Sequence, residues 1–93
     1  MKRRLTSRAY RDLENILSYI HERNPRAAMT LAERVEATLD LICEMPLIGR
    51  QSVRSGTREF PVARAPLLIV YRIISDHIEV LTVFHTSRDL DGK

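Results

Sequence analysis

Apolar residues in the first half of the chain recur at helical spacing. Ala9, Leu13, Ile16, Leu17 and Ile20 are separated by 4, 3, 1 and 3 positions, which places them on one face of an α-helix. Ser7 or Thr6 can cap its start, since either hydroxyl can accept from a free amide of the first turn. A residue before proline avoids the helical region, so Asn24-Pro25 predicts a stop near Arg23. Asn24 then serves as the cap of a second helix and Pro25 as its first residue. Ala28, Leu31, Ala32, Val35, Leu39 and Ile42 form its apolar face, and Met45-Pro46 ends it. Two amphipathic helices joined by so short a turn are expected to pack as an antiparallel hairpin.

The pattern changes after Pro46. Pro46 to Gly56, with Gly49, Gly56, serines and arginines, reads as an irregular connection. Glu59-Phe60-Pro61-Val62 reads as a short strand that Pro61 places at an edge or a strand end. Leu67 to Ile74 and Ile78 to Phe84 are rich in Ile, Val and Leu and flank Ser75-Asp76-His77, a hairpin pattern. Pairing Ile74 with His77 sets Tyr71 opposite Val80, Ile69 opposite Thr82 and Leu67 opposite Phe84 on one face, and Arg72 opposite Glu79 on the other. Lys2 to Thr6 is too short for periodicity to decide and leaves room for a leading strand. The expected fold is α+β in the order β-α-α-β-β-β, an N-terminal helical hairpin packed on one side of an antiparallel sheet. Residues 1–93 are expected to form one domain, because so short a chain has no room for a second core.

Composition narrows the class. At 44% apolar and 29% charged residues the chain is neither collagen-like nor disordered. Its longest apolar run, Pro66 to Ile74, is broken by Arg72 and falls well short of a membrane span, so no membrane partner is expected. The basic residues Lys2, Arg3 and Arg4 have no apolar region behind them, so no secretory signal is expected. Cys43, the only cysteine, cannot form an internal disulfide, which fits a reducing cytoplasm. The net charge is +3, and thirteen of the fifteen basic residues are arginine. From Met45 to Ser75, Arg50, Arg54, Arg58, Arg64 and Arg72 face one acid, Glu59, a local balance of +4. The guanidinium fork suits phosphate or carboxylate, and a plain solvated basic surface fits the same counts.

The chain lacks a glycine-rich phosphate loop and a Gly-x-Ser-x-Gly elbow, and His21, His77 and His85 do not show metal-ligand spacing. No metal or cofactor is expected. Without tryptophan and with two phenylalanines, a platform for stacking bases is not expected either. What remains is Arg58, Arg64, Arg72, His85 and Arg88 around the sheet. Arginines can stabilise charge growing on a phosphate while a histidine protonates the leaving oxygen. Equally, Arg72 can be spent on a cross-strand pair with Glu79, His85 can close a strand, and Arg88 can pair with Asp89 or Asp91.

Five blocks carry a resemblance. Tyr19-Ile20 with Arg23-Asn24-Pro25-Arg26-Ala27-Ala28, Pro46-Leu47-Ile48-Gly49-Arg50, Gly56-Thr57-Arg58-Glu59-Phe60-Pro61-Val62, Ile69-Val70-Tyr71-Arg72 and His85-Thr86-Ser87-Arg88-Asp89-Leu90 together resemble the ParE branch of the RelE/ParE toxins. The likeness runs from about Leu5 to Leu90 with the blocks in the family's order. It implies a helical hairpin against an antiparallel sheet, and the toxin half of a bacterial type II toxin–antitoxin module. ParE-like members are described as poisoning DNA gyrase, whereas RelE-like members cut messenger RNA in the ribosome. By position, Arg58 matches a phosphate-stabilising arginine of the ribonuclease branch, His85 a general acid of some members, and Arg88 falls near another basic site residue. Thr86 stands where cleaving relatives often carry an aromatic, and no lysine lies near the site. Those departures favour the gyrase inhibitor, with Arg50, Arg54, Arg58, Arg64 and Arg88 as candidate partner contacts. The ribonuclease, with Arg58, Arg72, His85 and Arg88 as its residues, is the alternative, and an inactive antitoxin-binding homologue is another. The implied partners are a ParD-like antitoxin and gyrase, with operator DNA reached only through the antitoxin complex.

Overall fold

The computed structural model describes residues 1–86. Helix α1 runs over Ser7–Arg23 and starts at Thr6, whose hydroxyl accepts from the Ala9 N–H at 3.1 Å. Helix α2 runs over Pro25–Glu44, with the Asn24 side chain accepting from the Ala27 N–H at 3.1 Å. Asn24 is thus the last residue of one helix's cap and the first of the next, and the chain reverses over a single residue. Both boundaries follow from local chemistry: proline cannot continue α1, and it fits the first turn of α2.

Five strands follow the sequence order β1 (Lys2–Leu5), β2 (Arg50–Gln51), β3 (Arg58–Pro61), β4 (Leu67–Ile74) and β5 (His77–His85). In the sheet they lie in the order β1-β5-β4-β3-β2. All neighbours are antiparallel except β1 and β5, which run parallel, with Leu5 beside Val80. A parallel neighbour cannot be reached by a tight turn, and here everything between the two strands serves as the crossover. The expectation of a wholly antiparallel sheet is corrected at that edge. The loop read as irregular also contains β2, two residues paired with β3. So short a strand leaves no periodicity to read.

The core lies between the helical hairpin and one face of the sheet. Leu31, Val35, Leu39 and Ile42 of α2 and Ala9 of α1 meet Leu67, Ile69, Tyr71, Ile78, Val80 and Val83, all buried. Arg3 ties the sheet edge to α2 through Glu36 at 2.5 Å and Asp40 at 2.6 Å, two carboxylates one helical turn apart.

The β4–β5 register agrees with expectation near the turn and departs beyond it. Ile74 pairs with His77, Arg72 with Glu79 and Tyr71 with Val80. A β-bulge then skips Leu81, so that Ile69 faces Val83, not Thr82, and Leu67 faces His85, not Phe84. The cause is on α1. Asp12 Oδ2 accepts from the Thr82 hydroxyl at 2.5 Å and from the Val83 N–H at 3.1 Å. The Thr6 hydroxyl, donating to the Leu81 carbonyl at 2.9 Å, satisfies the extra residue. The bulge places Val83 in the core and leaves Phe84 exposed.

Candidate functional site

Residues paired directly across an antiparallel sheet share a face. Arg58 is paired with Tyr71, which is buried toward the helices, so Arg58 projects to the helical side. There its Nη1 donates to the Gly49 carbonyl at 2.7 Å. The Gly49 N–H donates to the Tyr71 hydroxyl at 3.0 Å, and that hydroxyl donates to the Pro46 carbonyl at 2.7 Å. These bonds buckle the segment after α2 onto the middle of the sheet. Only glycine fits at position 49, since a Cβ would lie 2.6 Å from the Tyr71 hydroxyl oxygen and 2.9 Å from the Glu59 carbonyl oxygen. Burial pushes the Tyr71 hydroxyl above the usual tyrosine value, opposed by the Gly49 hydrogen bond and the Arg58 charge.

Arg72 projects to the other face, where its Nε donates to Glu79 at 2.7 Å, the cross-strand pair expected from the sequence. Arg50 and Glu59 form a second pair on that face at 2.7 Å, so this candidate contact has a carboxylate partner. His85 ends β5 opposite Leu67 and lines a recess with Asn15, Ile16, Tyr19 and Ile20 of α1. Along β4 the partners of Arg58 and His85 are four positions apart, Tyr71 and Leu67, and the two residues lie two strands apart. Their backbones are therefore separated by on the order of 15 Å. The three described candidates are not brought to one point.

The other arginines also scatter. Arg54 is exposed in the loop before β3, where its carbonyl accepts from the Thr57 hydroxyl at 2.7 Å. Arg64 is exposed in the β3–β4 turn at φ 59, and its carbonyl accepts from Arg34 Nη1 at 3.0 Å. Arg88 lies outside the described residues. Sequence reasoning gave no role to Asp12, Gly49 or the Tyr71 hydroxyl. Gly49 reads only as part of an irregular connection, and nothing local marks its partner.

A groove of about 600 Å³ lies between β1, α1 and α2. Leu5, Tyr10, Leu13, Leu17 and Leu39 give it an apolar floor, and Arg3, Arg4, Glu14 and Glu36 stand at its walls. Among the described residues no helix is long and apolar enough to cross a membrane.

A hairpin of two helices on one face of a sheet whose last strand runs beside the first is shared with known toxins. The chain resembles the toxin of the chromosomal ParDE system from Pseudomonas aeruginosa with a TM-score of 0.82 at 20% identity, covering 91% of this chain and 95% of the other. Against the intact RelBE toxin–antitoxin complex of Escherichia coli the TM-score is 0.61 at 15% identity, covering 88% and 92%. Those likenesses define the RelE/ParE toxin fold. In sequence, residues 3–90 match the family described as the ParE toxin of the type II toxin–antitoxin system parDE. The chain belongs to that ParE toxin family and is a toxin of a type II toxin–antitoxin system. It is 38% identical over 80 residues to toxin RelE1 of Caulobacter vibrioides, covering 84% of this chain and 85% of the relative. It is also 40% identical over 82 residues to Sinorhizobium fredii Y4kP, a protein that carries a provisional toxin label, covering 88% and 84%.

Proposed function

We propose that this toxin acts by binding and arresting DNA gyrase, and that a cognate ParD-like antitoxin holds it silent. The observation that carries the reading is the dispersal of the three cleavage candidates among the described residues. Arg58 is engaged with Gly49 on the helical side, Arg72 with Glu79 on the opposite face, and His85 lies at the far end of β5. Cleaving a phosphodiester requires an acid and charge-stabilising groups within hydrogen-bond reach of one phosphate. Side chains on two faces, with backbones on the order of 15 Å apart, do not supply that. Arresting an enzyme by binding requires only surfaces.

The groove between β1, α1 and α2 suits the antitoxin. Its leucine floor would accept the apolar face of a segment that folds on binding, and Arg4 would meet a carboxylate of that segment, Arg3 being held by Glu36 and Asp40. Operator DNA would be reached through the antitoxin of the complex. The test is a supercoiling assay with purified gyrase, relaxed plasmid and this chain, with and without its antitoxin. Inhibition reversed by antitoxin is the expected result; full gyrase activity beside folded toxin would overturn it.

The likeness to toxin RelE1 supports a second reading, ribosome-dependent cleavage of messenger RNA through Arg58, Arg72, His85 and Arg88. On that reading His85→Ala slows cleavage by roughly a hundredfold, the contribution of one general acid, with the fold intact. Undiminished cleavage removes His85 from any such role.

A further inference from the structure

Between Met45 and Val53 stand three of the eight large apolar side chains exposed among the described residues: Met45 at 53%, Leu47 at 69% and Val53 fully exposed. Single exposed apolar residues are ordinary on protein surfaces. Leu47 differs in how it is held. The Ile48 N–H donates to the Met45 carbonyl at 2.9 Å, closing a tight turn with Pro46 and Leu47 at its two central positions. The Tyr71 hydroxyl then bonds on both sides of Leu47, to the Pro46 carbonyl and the Gly49 N–H, and Arg58 holds the Gly49 carbonyl. Tyr71 itself is fully buried. Leu47 therefore projects from a turn fastened to the core, and its backbone loses little freedom when a partner covers it. Rigid apolar anchors of this kind carry much of the energy of protein interfaces.

The surroundings specify the partner. Next to the turn, Ile48, Phe60, Pro61 and Leu68 line a shallow recess of about 410 Å³ bordered by Arg50 and Glu59. Arg50 is paired with Glu59, yet its side chain remains 79% exposed while that of Glu59 is only 15% exposed, so the guanidinium is the outward-facing member of the pair. Arg54 adds a second exposed cation beyond β2. The segment thus presents an apolar centre with a positive rim, on the two-residue edge strand β2. A second copy of this chain would set like charges against each other. Nucleic acid would engage the arginines but leave Met45 and Leu47 against phosphates.

We infer that the Met45–Val53 segment is the surface with which this toxin docks on its protein target, Leu47 anchoring in an apolar recess rimmed by carboxylates. The surface lies apart from the β1–α1–α2 groove assigned above to the antitoxin, so the two can be separated by mutation. The inference deepens the gyrase reading and rests on it only for the target's name.

The test compares Leu47→Glu and Val53→Glu with Met29→Glu, which alters an equally exposed side chain on α2 (66%). Each variant is assayed for inhibition of gyrase supercoiling, for growth arrest on expression, for affinity to the antitoxin and for melting temperature. Leu47→Glu is expected to weaken inhibition by about 30-fold, the size of a lost anchor, and Val53→Glu by less. Met29→Glu should inhibit like the parent, and all three should melt and bind antitoxin normally. If the parent arrests growth without touching gyrase while Leu47→Glu is harmless, the surface stands and the target's name falls. If Leu47→Glu and Val53→Glu retain the parent's inhibition or growth arrest, the docking surface is wrong. A parent that arrests neither gyrase nor growth also overturns it.

Discussion

From Ile74 and His77 to Tyr71 and Val80 the β4–β5 hairpin pairs residue for residue, and from Val70 and Thr82 onward it is shifted by the skipped Leu81. The first half rests on neighbours. Ser75-Asp76 turns the chain, with Ser75 at φ 52, and Arg72 meets Glu79 directly across. The second half rests on a carboxylate from another element. Asp12 lies 70 positions before Thr82, and its Oδ2 satisfies both the Thr82 hydroxyl and the Val83 N–H. A one-residue slip exchanges the two faces of a strand. Without the bulge, Thr82 and Phe84 would face the core; with it, Val83 does and is 4% exposed. Alternation therefore sets a register only until a distant acceptor makes an irregular one more favourable.

The largest effect should come from removing that acceptor. Asp12→Ala strands the Val83 N–H in a part-buried position, and an unsatisfied buried donor costs about 2 kcal/mol. Denaturant unfolding should show that loss, and hydrogen exchange should locate it: faster exchange at Val83 and beyond, unchanged protection from Tyr71 to Ile78. Uniform loss across the hairpin would mean that its halves are one unit. Tyr71 sits at the boundary and should come next. Tyr71→Phe leaves the Pro46 carbonyl and Gly49 N–H without their partner, for about 1.5 kcal/mol. It also changes the alkaline limb. Because burial raises the hydroxyl's folded value above its unfolded value near 10, the native state holds the proton that the unfolded chain loses. The tyrosine's contribution is thus complete below about pH 10 and declines as pH rises through the folded value. Tyr71→Phe should flatten that decline, and an unchanged alkaline slope would assign it to other groups.

The same contrast explains what could be read from the chain. Asn24-Pro25 fixes the junction of the helices because proline's steric limits act on adjacent residues, and the structure turns there. Arg72 opposite Glu79 follows from counting back from the turn. The bulge, the parallel β1 and the two-residue β2 depend on partners tens of residues away and leave no local pattern. The site divides likewise. Arg58 and His85 could be named by type and by resemblance, but their separation depends on the β3–β4 pairing and on the shifted half of β5. The buckle at Gly49 joins residues 22 positions apart, and a tyrosine in the middle of an apolar strand reads as packing until its hydroxyl is seen to be bonded.

The smallest effect should come from the regular half. Arg72→Ala removes the cross-strand ion pair of this half on the open face, with Nε 2.7 Å from Glu79. Yet the Arg72 side chain is 48% exposed, so water replaces much of what the carboxylate loses, and the freed arginine entropy offsets part of the rest. Cross-strand pairs of this kind are worth about 0.5 kcal/mol or less. The loss should shrink further in 1 M salt, where exposed charges are screened within about 3 Å. Urea unfolding at low and high salt measures both quantities. A loss as large as that of Asp12→Ala would mean that the ion pair, and not turn and alternation, holds the proximal half, and the two halves would then depend alike on single charged groups.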